Sequence, residues 1–423
     1  MVPTPGSPNA GSSIEDLGSV RERLYTQRQL NHDIILNTSR FALTETIGLD
    51  LMAGVNINER RYSDLDAYVS DLTIPGFYDL SNSPNQPVAP EDKANKNPPI
   101  GIEDEMLRRY YGVYGQVNAD YSNLIFLSAT VRNDKSSTLP EDNNSFWYGG
   151  VNASLVFTEL VDIQSKWFNY GKLRIGYGST GNDAPPYITA SYFEQKVVDV
   201  PFRPYQFPVN GVNSFTISNR IGSPDLQPEI TKEFEVGGEL RFFTGRVVLD
   251  LTYYNRVTTN LILNVPSDGA SGSTVQTQNV GEIVNKGIEA LVSVDILRSD
   301  DLGGFTWNLS VNYSDNDNEL TKLNSALDKV SLGGLSTIGF FAVEGQPLGV
   351  YEASVAQKDP NGNVIVDANG VPKASPEKEF LGNSQYEYIM GVTNKFGYKG
   401  ITLSATLDIR QGGLMFSRTA DIN

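Results

Sequence analysis

Three glycines in the stretch LRIGYGSTGN have the spacing of a nucleotide-binding turn. Gly176, Gly178 and Gly181 form the pattern G-x-G-x-x-G directly after a strand-like run. In a dinucleotide-binding turn this pattern opens a helix, whose N-terminus receives the pyrophosphate. Here Pro185 and Pro186 follow, and these prolines prevent a helix from starting cleanly. The sequence therefore favours a strand that ends in a loop, with no nucleotide cofactor.

The segment DPNGNVIVD resembles the beginning of a calcium-binding loop. Asp359, Asn361, Asn363 and Asp367 stand at relative positions 1, 3, 5 and 9, and alternate oxygens of this kind converge on a hard cation. A calcium loop also needs glycine at position 6 and a bidentate glutamate at position 12, and position 12 here is Gly370. The alternative is a polar turn, because Asn-Gly dipeptides favour turns. Both interpretations stay open, and calcium is the one metal that the sequence suggests.

Other chemistry is poorly supported by the composition. The chain has no cysteine, which excludes disulfides, thiolate metal sites and cysteine nucleophiles. Its only histidine, His32, lies in the strand-like run NHDIILN, where a polar side chain on a strand face is favoured over a catalytic role. Carboxylates are plentiful, but no spacing singles out an acid–base pair. We therefore expect no enzyme.

The charge of the chain limits its partners. Asp and Glu number 50 against 33 Lys and Arg, which gives a net charge of −17. An acidic chain repels phosphate backbones, so we expect no nucleic-acid partner. The first residues lack the apolar segment of a signal peptide, and no run of about 18 apolar residues predicts a transmembrane helix. Transmembrane barrels have no such run, so a membrane remains open.

The dominant period of the sequence is two. In FTWNLSVNYS the apolar residues alternate with Thr, Asn and Ser, so one strand face is apolar and the other is polar. The pattern recurs in about twelve segments, many of them about ten residues long. About ten residues is the length with which a tilted strand crosses a bilayer, whereas soluble strands average about five or six. The candidate strands lie near 30–42, 46–57, 109–121, 124–133, 146–157, 172–178, 233–242, 246–256, 285–296, 305–314, 387–397 and 401–410.

The segments between these strands alternate between short and long. Short connections are predicted at 122–124, 244–246, 298–304 and 397–400, with 158–171 as a longer exception on the same side. Long loops are predicted at 59–108, 180–231, 258–285 and 317–386. Outer-membrane barrels have short periplasmic turns and long extracellular loops, and a soluble sandwich has no reason to segregate loop lengths.

Aromatic and charged residues fit the same scheme. Tyr and Trp near the strand ends suit an interfacial girdle; they are Trp147, Tyr148, Tyr253, Tyr254 and Tyr398. Charged residues on the polar faces suit a wet lumen, or alternatively solvated faces with cross-strand ion pairs. They are Glu233, Glu235, Glu239, Arg241, Asp250, Arg256, Glu289, Asp295, Asp408 and Arg410.

An ordered series of segments resembles the barrel of SusC/RagA-type TonB-dependent outer-membrane transporters of the Bacteroidota. The series begins with VRNDKSS and KLRIGYGSTGN, continues through LQPEITKEFEVGGELRFFTGRVVLDLTYYNRVTTNLI and NVGEIVNKGIEALVSVDI, and ends with FLGNSQYEYIMGVTNKFGYKGITLSATLDIRQGG. The resemblance runs from about residue 28 to the end. It implies an all-β fold, an antiparallel transmembrane β-barrel segment with about 12 strands of a barrel of roughly 22.

The resemblance also implies a domain organisation. Residues 1–27 are a poorly defined N-terminal segment, and residues 28–423 are a partial barrel. A plug domain with a TonB-contacting segment, which family members carry, is not recognisable in this chain, and about ten strands are expected outside it. We therefore expect a fragment that does not insert alone, because membranes forbid open sheet edges that face lipid.

The function implied by the resemblance is nutrient import across the outer membrane. A SusD-like surface lipoprotein would deliver an oligosaccharide or peptide, and the TonB complex would act through the missing plug. Aromatic loops at 185–195 and 201–215 would grip the ligand, or alternatively pack against other loops or the lipoprotein. Two further alternatives are a passive porin or surface adhesin without energy coupling, and a soluble carbohydrate-binding β-sandwich.

Overall fold

The computed structural model describes residues 18–70, 72–74, 76–83, 102–160, 165, 167–194, 215–299, 304–323, 328–334 and 338–417. The chain forms two compact units. One contains residues 1–33 and 56–111, and the other contains residues 34–55 and 112–423. Among the described residues, no helix is long and apolar enough to span a membrane.

Strands make up nearly all of the regular structure. They are β1 (Ser19–Asn37), β2 (Phe41–Ala42), β3 (Ile47–Ser70), β4 (Ile102–Tyr121), β5 (Ile125–Ser136), β6 (Ser145–Leu155), β7 (Phe168–Asn182), β8 (Phe193–Glu194), β9 (Thr216–Ile217), β10 (Arg220–Ile221), β11 (Glu229–Phe242), β12 (Val247–Thr259), β13 (Ile262–Pro266), β14 (Val275–Asn279), β15 (Gly281–Leu297), β16 (Thr306–Leu323), β17 (Lys329–Gly334), β18 (Ile338–Val343), β19 (Val350–Ala356), β20 (Ala374–Asn383), β21 (Tyr386–Tyr398) and β22 (Ile401–Gly412). Three short 3₁₀ turns accompany them, at Glu141–Asn143, Phe157–Glu159 and Gly269–Ser271.

One large sheet contains all twelve predicted strands. Its order is β1-β3-β4-β5-β6-β7-β11-β12-β15-β16-β21-β22, with β2 paired to β3 as a thirteenth strand. From β5 to β22 each strand pairs antiparallel with the next in this order. Neighbours in the sheet are consecutive along the chain once the loop strands are set aside, which is an up-and-down meander. The predicted all-β antiparallel fold is confirmed, and in the described residues the order is open at β1 and β22.

The lengths of the connections alternate as predicted. Three residues join β4 to β5 and two join β21 to β22, whereas 46 separate β7 from β11 and 62 separate β16 from β21. Most strands are longer than predicted; β1, β3 and β4, for example, have 19, 24 and 20 residues. The first of them begins at Ser19, within the N-terminal segment expected to be poorly defined.

The long loops of the larger unit fold into structure of their own. Strands β17 to β20 form a four-stranded sheet, and β10, β14 and β13 form a three-stranded sheet. A small apolar core lies among these strands and the end of β16, and includes the fully buried Leu320, Val330 and Ala342. The sequence analysis treated these segments only as loops. Because these loop strands bury side chains of their own, their outer surface has a defined shape.

In the smaller unit, ion pairs join the strands. Four arginine–carboxylate pairs link side chains far apart in sequence, with Nε–oxygen distances between 2.5 and 3.0 Å. The pairs are Arg21–Asp66, Arg23–Asp64, Arg61–Glu105 and Arg109–Glu59. Most of these arginine side chains are more than half exposed, so each pair contributes little to stability and mainly fixes register.

The strand register separates an apolar face from a polar one. Across β7, β11, β12 and β15 the apolar row aligns Ile175 with Val236, Tyr253 and Ile288. Although they are apolar, the side chains of this face are exposed: the exposed fraction is 50% for Ile175 and 64% for Leu403 on β22. A continuous exposed apolar face of this extent marks a surface that contacts a membrane or another protein. Neighbouring residues on each strand are polar and point the other way.

The predicted aromatic girdle is partly wrong. Trp147, Tyr253 and Tyr398 lie exposed on the apolar face, as expected. Tyr148 and Tyr254 instead belong to the polar face, where their hydroxyls donate to Asp134 and Asn316. The reason is the strand period, because consecutive residues cannot both face lipid. Aromatic contacts that the sequence analysis did not single out lie beside the short turns, and include Trp167 with Phe243, Phe168 with Phe242, and Trp307 with Phe396.

Replacing Leu251 by Arg tests the assignment of the faces. Leu251 lies mid-strand on the apolar face of β12, and a charged side chain at the bilayer midplane costs about 2–4 kcal/mol. We expect less folded protein in the outer membrane, measured as the heat-modifiable band on a gel. The matched control is Ser310→Arg on the polar face of β16, which should fold normally. Equal losses for both variants would contradict the assignment.

Candidate functional site

Hydrogen-bond register brings distant parts of the sequence into rows on the polar face. One row runs from Thr130 on β5 through Gly150, Gly178 and Glu233 to Arg256 on β12. The next row runs from Ser128 through Asn152, Gly176 and Glu235 to Tyr254. Neighbouring strands are about 4.8 Å apart, so each row crosses about 19 Å of the sheet. The charged residues predicted for the polar face on β11 and β12 lie in or beside these rows.

A recess of about 800 Å³ lies over the middle of these rows. Gly150 and Gly178 lie opposite each other in its floor, and beside them the Asn152 side chain covers Gly176. A Cβ built on Gly178 would lie 3.8 Å from the Cα of Gly150, which is ordinary contact, so a side chain there would project into the recess. The absence of side chains makes this part of the polar face concave and lets a ligand approach the backbone.

An arginine borders one side of the recess. The Nε of Arg132 donates to the Oδ1 of Asp134 at 2.7 Å, and the guanidinium lies 5.1 Å from the ring centroid of Tyr114. Asp134 is completely buried and also accepts a hydrogen bond from the hydroxyl of Tyr148. The buried carboxylate and the aromatic face together hold one orientation of Arg132, which leaves part of a cationic group at the recess.

Carboxylates border the opposite side. Glu233 accepts a hydrogen bond from the Nε of Arg256, which forms an ion pair. Glu235 lies two residues further along the same face of β11 and has no cationic partner within ion-pair distance among the described side chains. Glu235 instead shares a hydrogen bond with Glu233, so this side of the recess carries two linked carboxyl groups and one arginine. Arg132 on β5 lies three strand spacings, about 14 Å, across the sheet from β11. It is also displaced along the strands, by two residues from the row of Glu233 and by four from the row of Glu235.

A second recess of about 710 Å³ adjoins the first. The two share Asn152, Gly176 and Glu235 in their linings. In the second recess Arg174 binds Asp250 through two hydrogen bonds of 2.8 and 2.6 Å, a bidentate geometry. Together the two recesses form one continuous polar groove.

The structure shows the role of the G-x-G-x-x-G glycines. Gly176, Gly178 and Gly181 all lie within β7, which continues to Asn182. No helix follows in the described residues after this strand, so a nucleotide phosphate would find no helix N-terminus. Gly178 lies in the groove floor, whereas the positions of Gly176 and Gly181 are covered by the Asn152 side chain and the Phe146 ring.

The four calcium candidates lie in two consecutive turns of the same design. The Asp359 carboxylate accepts hydrogen bonds from the backbone N–H groups of Asn361 and Asn363, both at 2.9 Å. Asp367 accepts in the same way from Asn369 and Val371, at 2.8 and 3.0 Å. Hydrogen bonds from Asn363 and the turn backbone hold the pKa of Asp359 below its ordinary value.

Each aspartate thus serves its own turn. The structure brings Asp359 and Asn363 together through a 3.1 Å side-chain hydrogen bond, and Asp367 belongs to the following turn. In the described part of the chain, no three His, Cys, Asp or Glu side chains converge as a metal-binding group. Calcium binding by these residues remains a prediction.

The loops expected to grip a ligand are only partly described. In the first, Tyr187, Tyr192 and Phe193 are exposed. In the second, 201–214 lies outside the described residues. Gripping a ligand and packing against a partner therefore stay open as alternatives for both loops.

A buried polar network at the loop end of β5 was not predicted from the sequence. Asp183 accepts hydrogen bonds from the hydroxyls of Ser136 and Thr138, the latter at 2.9 Å, and all three residues are buried. Asp134 and Ser136 lie in VRNDKSS, Thr138 lies just beyond it, and Asp183 follows KLRIGYGSTGN; both segments carried the family resemblance. The available signal was the closely spaced charged and hydroxyl residues at a strand end, which suit buried hydrogen bonding.

Comparison with known proteins decides the family. The family model described as "TonB dependent receptor-like, beta-barrel" matches residues 5–371. The chain belongs to this family. The TonB-dependent receptor P3 of Formosa agariphila is 26% identical over 334 residues, which are 73% of this chain and 32% of that protein. The TonB-dependent receptor SusC of Bacteroides thetaiotaomicron is 27% identical over 318 residues, 70% of this chain and 30% of that protein.

This TonB-dependent receptor chain also has a close fold neighbour. A structure titled as that of the RagAB peptide transporter superimposes with a TM-score of 0.70 at 20% identity, covering 92% of this chain and 42% of that one. At this identity the likeness shows the fold. The chain spans about a third of the length of its curated relatives. The family is one of receptors and transporters of the outer membrane, which confirms the predicted location.

Acid is expected to loosen the turn at Asp359. A carboxyl whose pKa is lowered by folding stabilises the fold above its unfolded pKa and loses this effect as the pH falls through the folded value. Pepsin cleavage between 357 and 373 should therefore increase below about pH 4. An Asp359→Ala chain should be cleaved readily at every pH at which pepsin acts, because its turn N–H groups lose their acceptor. An Asp359→Ala chain cleaved no faster than the wild type would contradict this role.

Proposed function

We propose that this chain is the barrel wall of an active importer that takes up oligosaccharides or peptides through the outer membrane. The observation that carries the proposal is the pairing of an exposed apolar face with a concave polar face on one sheet. In a family of outer-membrane receptors the first face suits lipid and the second suits the path of a polar solute. The chain acts by enclosing and guiding the solute, not as an enzyme.

The energy for import and the delivery of the solute come from partner proteins. We propose that TonB powers import through a plug held by the barrel, in line with the family name. A SusD-like lipoprotein on the cell surface is the proposed second partner, supported by the relative named SusC and the neighbour titled RagAB. The folded loop sheet β17 to β20 offers a structured surface for such a partner.

Uptake by whole cells tests the energy coupling. Cells with and without the gene would be given labelled oligosaccharides and labelled peptides, each with and without a protonophore. We expect gene-dependent uptake of at least one class, and we expect the protonophore to abolish it because TonB relays proton-motive force.

Two results would contradict the importer. Gene-dependent uptake that the protonophore leaves unchanged would indicate a passive porin. Gene-dependent attachment to surfaces, without uptake of either class, would indicate an adhesin. A strain that lacks TonB serves as the matched control, since it should behave like protonophore-treated cells.

We also propose calcium as a ligand of the turn segment that contains Asp359, Asn361, Asn363 and Asp367. Support comes from oxygen-bearing side chains at alternate positions on an exposed loop. Terbium luminescence of the purified protein should rise on binding and be reversed by calcium. Asp359→Ala should weaken it, and an unchanged signal in that variant would place the ion elsewhere.

A further inference from the structure

The register between β3 and β4 places two arginines side by side in the smaller unit. Asn118 on β4 donates to Asp50 on β3, and Arg109 on β4 donates to Glu59 on β3. Each strand has nine residue steps between these two contacts, so the antiparallel register does not shift between them. One step beyond the second contact, Arg60 on β3 therefore lies opposite the arginine that precedes Arg109 on β4.

This pair of like charges, Arg60 with Arg108, is best satisfied by a bound anion. Like charges directly opposite each other destabilise a sheet. The Arg108 guanidinium lies 5.6 Å from the ring centroid of Tyr110 on the same strand. Among the described side chains no ion pair includes Arg60, and its Nε is buried without a hydrogen-bond partner. A buried N–H of a charged group costs free energy until an acceptor binds it.

The nearest carboxylate on the same face of β3 cannot neutralise Arg60. Asp64 lies four residues along the strand, a separation of about 13 Å, and already accepts a hydrogen bond from the Nε of Arg23 at 2.8 Å. Glu59 is adjacent in sequence but points to the opposite face of the strand. The described part of the chain therefore supplies no counter-charge to Arg60.

A neutral donor lies on the other side of Arg60. Tyr25 on β1 and Tyr62 on β3 face each other with ring centroids 6.2 Å apart. Two residues further along each strand, the antiparallel register brings Gln27 opposite Arg60. The Gln27 side chain is exposed and its amide offers two N–H donors. Donors on three neighbouring strands, with no carboxylate among them, suit an anion that carries several oxygens.

We propose that Arg60, Arg108 and Gln27 form a binding site for an oxyanion, that is, a sulfate, phosphate or carboxylate group. A planar guanidinium presents its N–H donors as a fork that fits two oxygens of such a group. The group can arrive as a free inorganic ion or as a substituent of a sugar, because both sources present the same oxygens. The inference is independent of the importer proposal, since it concerns binding to the purified protein.

Equilibrium dialysis with radioactive sulfate tests the site. The protein as its gene encodes it would be purified from the outer membrane in detergent, and chloride would hold the ionic strength constant because salt screens charge contacts. We expect saturable sulfate binding. Arg60→Gln should raise the Kd at least about ten-fold, the size of one lost hydrogen bond to a charged group. Arg108→Gln should raise the Kd as well.

The matched control is Arg28→Gln. Arg28 is exposed on β1, next to Gln27 in sequence but on the opposite face of the strand, and no ion pair among the described side chains includes it. The substitution removes the same charge and should leave the Kd for sulfate unchanged.

Thermal unfolding separates ligand binding from a structural role. Without sulfate, Arg60→Gln should unfold no earlier than the wild type, because the substitution removes a repulsion between like charges. Added sulfate should raise the melting temperature of the wild type and of Arg28→Gln, since a ligand that binds the folded state stabilises it. It should not raise that of Arg60→Gln.

Competition identifies the source of the anion. A sulfated glucose, glucuronic acid and glucose would each compete with the radioactive sulfate. Displacement by the two charged sugars, but not by glucose, would support the site and show that it takes an anionic group carried by a sugar. Displacement by unlabelled sulfate or phosphate alone would support the site and show that it takes a free ion.

Three results would overturn the oxyanion site. The first is no saturable binding of sulfate. The second is a loss of binding in Arg28→Gln as large as that in Arg60→Gln, which would show general attraction to exposed arginines. The third is earlier unfolding of Arg60→Gln than of the wild type without sulfate, which would show that Arg60 stabilises the strands by itself.

Discussion

The antiparallel hydrogen-bond ladder is the constraint on which the rest of this structure depends. A membrane offers no water to backbone N–H and C=O groups, so every strand must pair on both sides. Pairing fixes register, and register fixes which face each side chain occupies. Residues from β5, β6, β7, β11 and β12, spread over more than a hundred positions of sequence, therefore meet in one row. A slip of one residue in β6 or β7 would turn its glycine of the row toward lipid, and a slip in β11 would do the same to its glutamates.

Much of this sheet follows from the sequence alone, for a physical reason. A strand with lipid on one side and water on the other must alternate strictly, and twelve such segments predicted the twelve strands of the main path. The short turns at one end of the sheet were also predicted from the sequence, because they lie directly between segments with a period of two. Tyr148 and Tyr254 face the polar side instead of the predicted girdle. Each follows an aromatic residue that faces the apolar side, and alternation places consecutive residues on opposite faces.

The loop sheets and the groove could not be predicted in the same way. The core around Leu320, Val330 and Ala342 forms between segments that show no long period of their own, so only tertiary packing reveals it. The groove likewise depends on which strands are neighbours. Glycines at 150 and 178 are unremarkable in sequence until the register places them opposite each other. Arg132 and Asp134 stand two residues apart on one strand face, so their residue types could have predicted an ion pair. The burial of the Asp134 carboxylate depends on tertiary packing and could not be predicted.

The polar face combines two kinds of charged group with different consequences. Arg174 with Asp250 forms a closed bidentate pair, whose charges satisfy each other and stiffen the wall. Arg132 also forms an ion pair, with the buried Asp134, while part of its guanidinium lines the recess; Glu235 has no ion-pair partner among the described side chains. Closed pairs set shape, and incompletely neutralised groups set preference for a ligand.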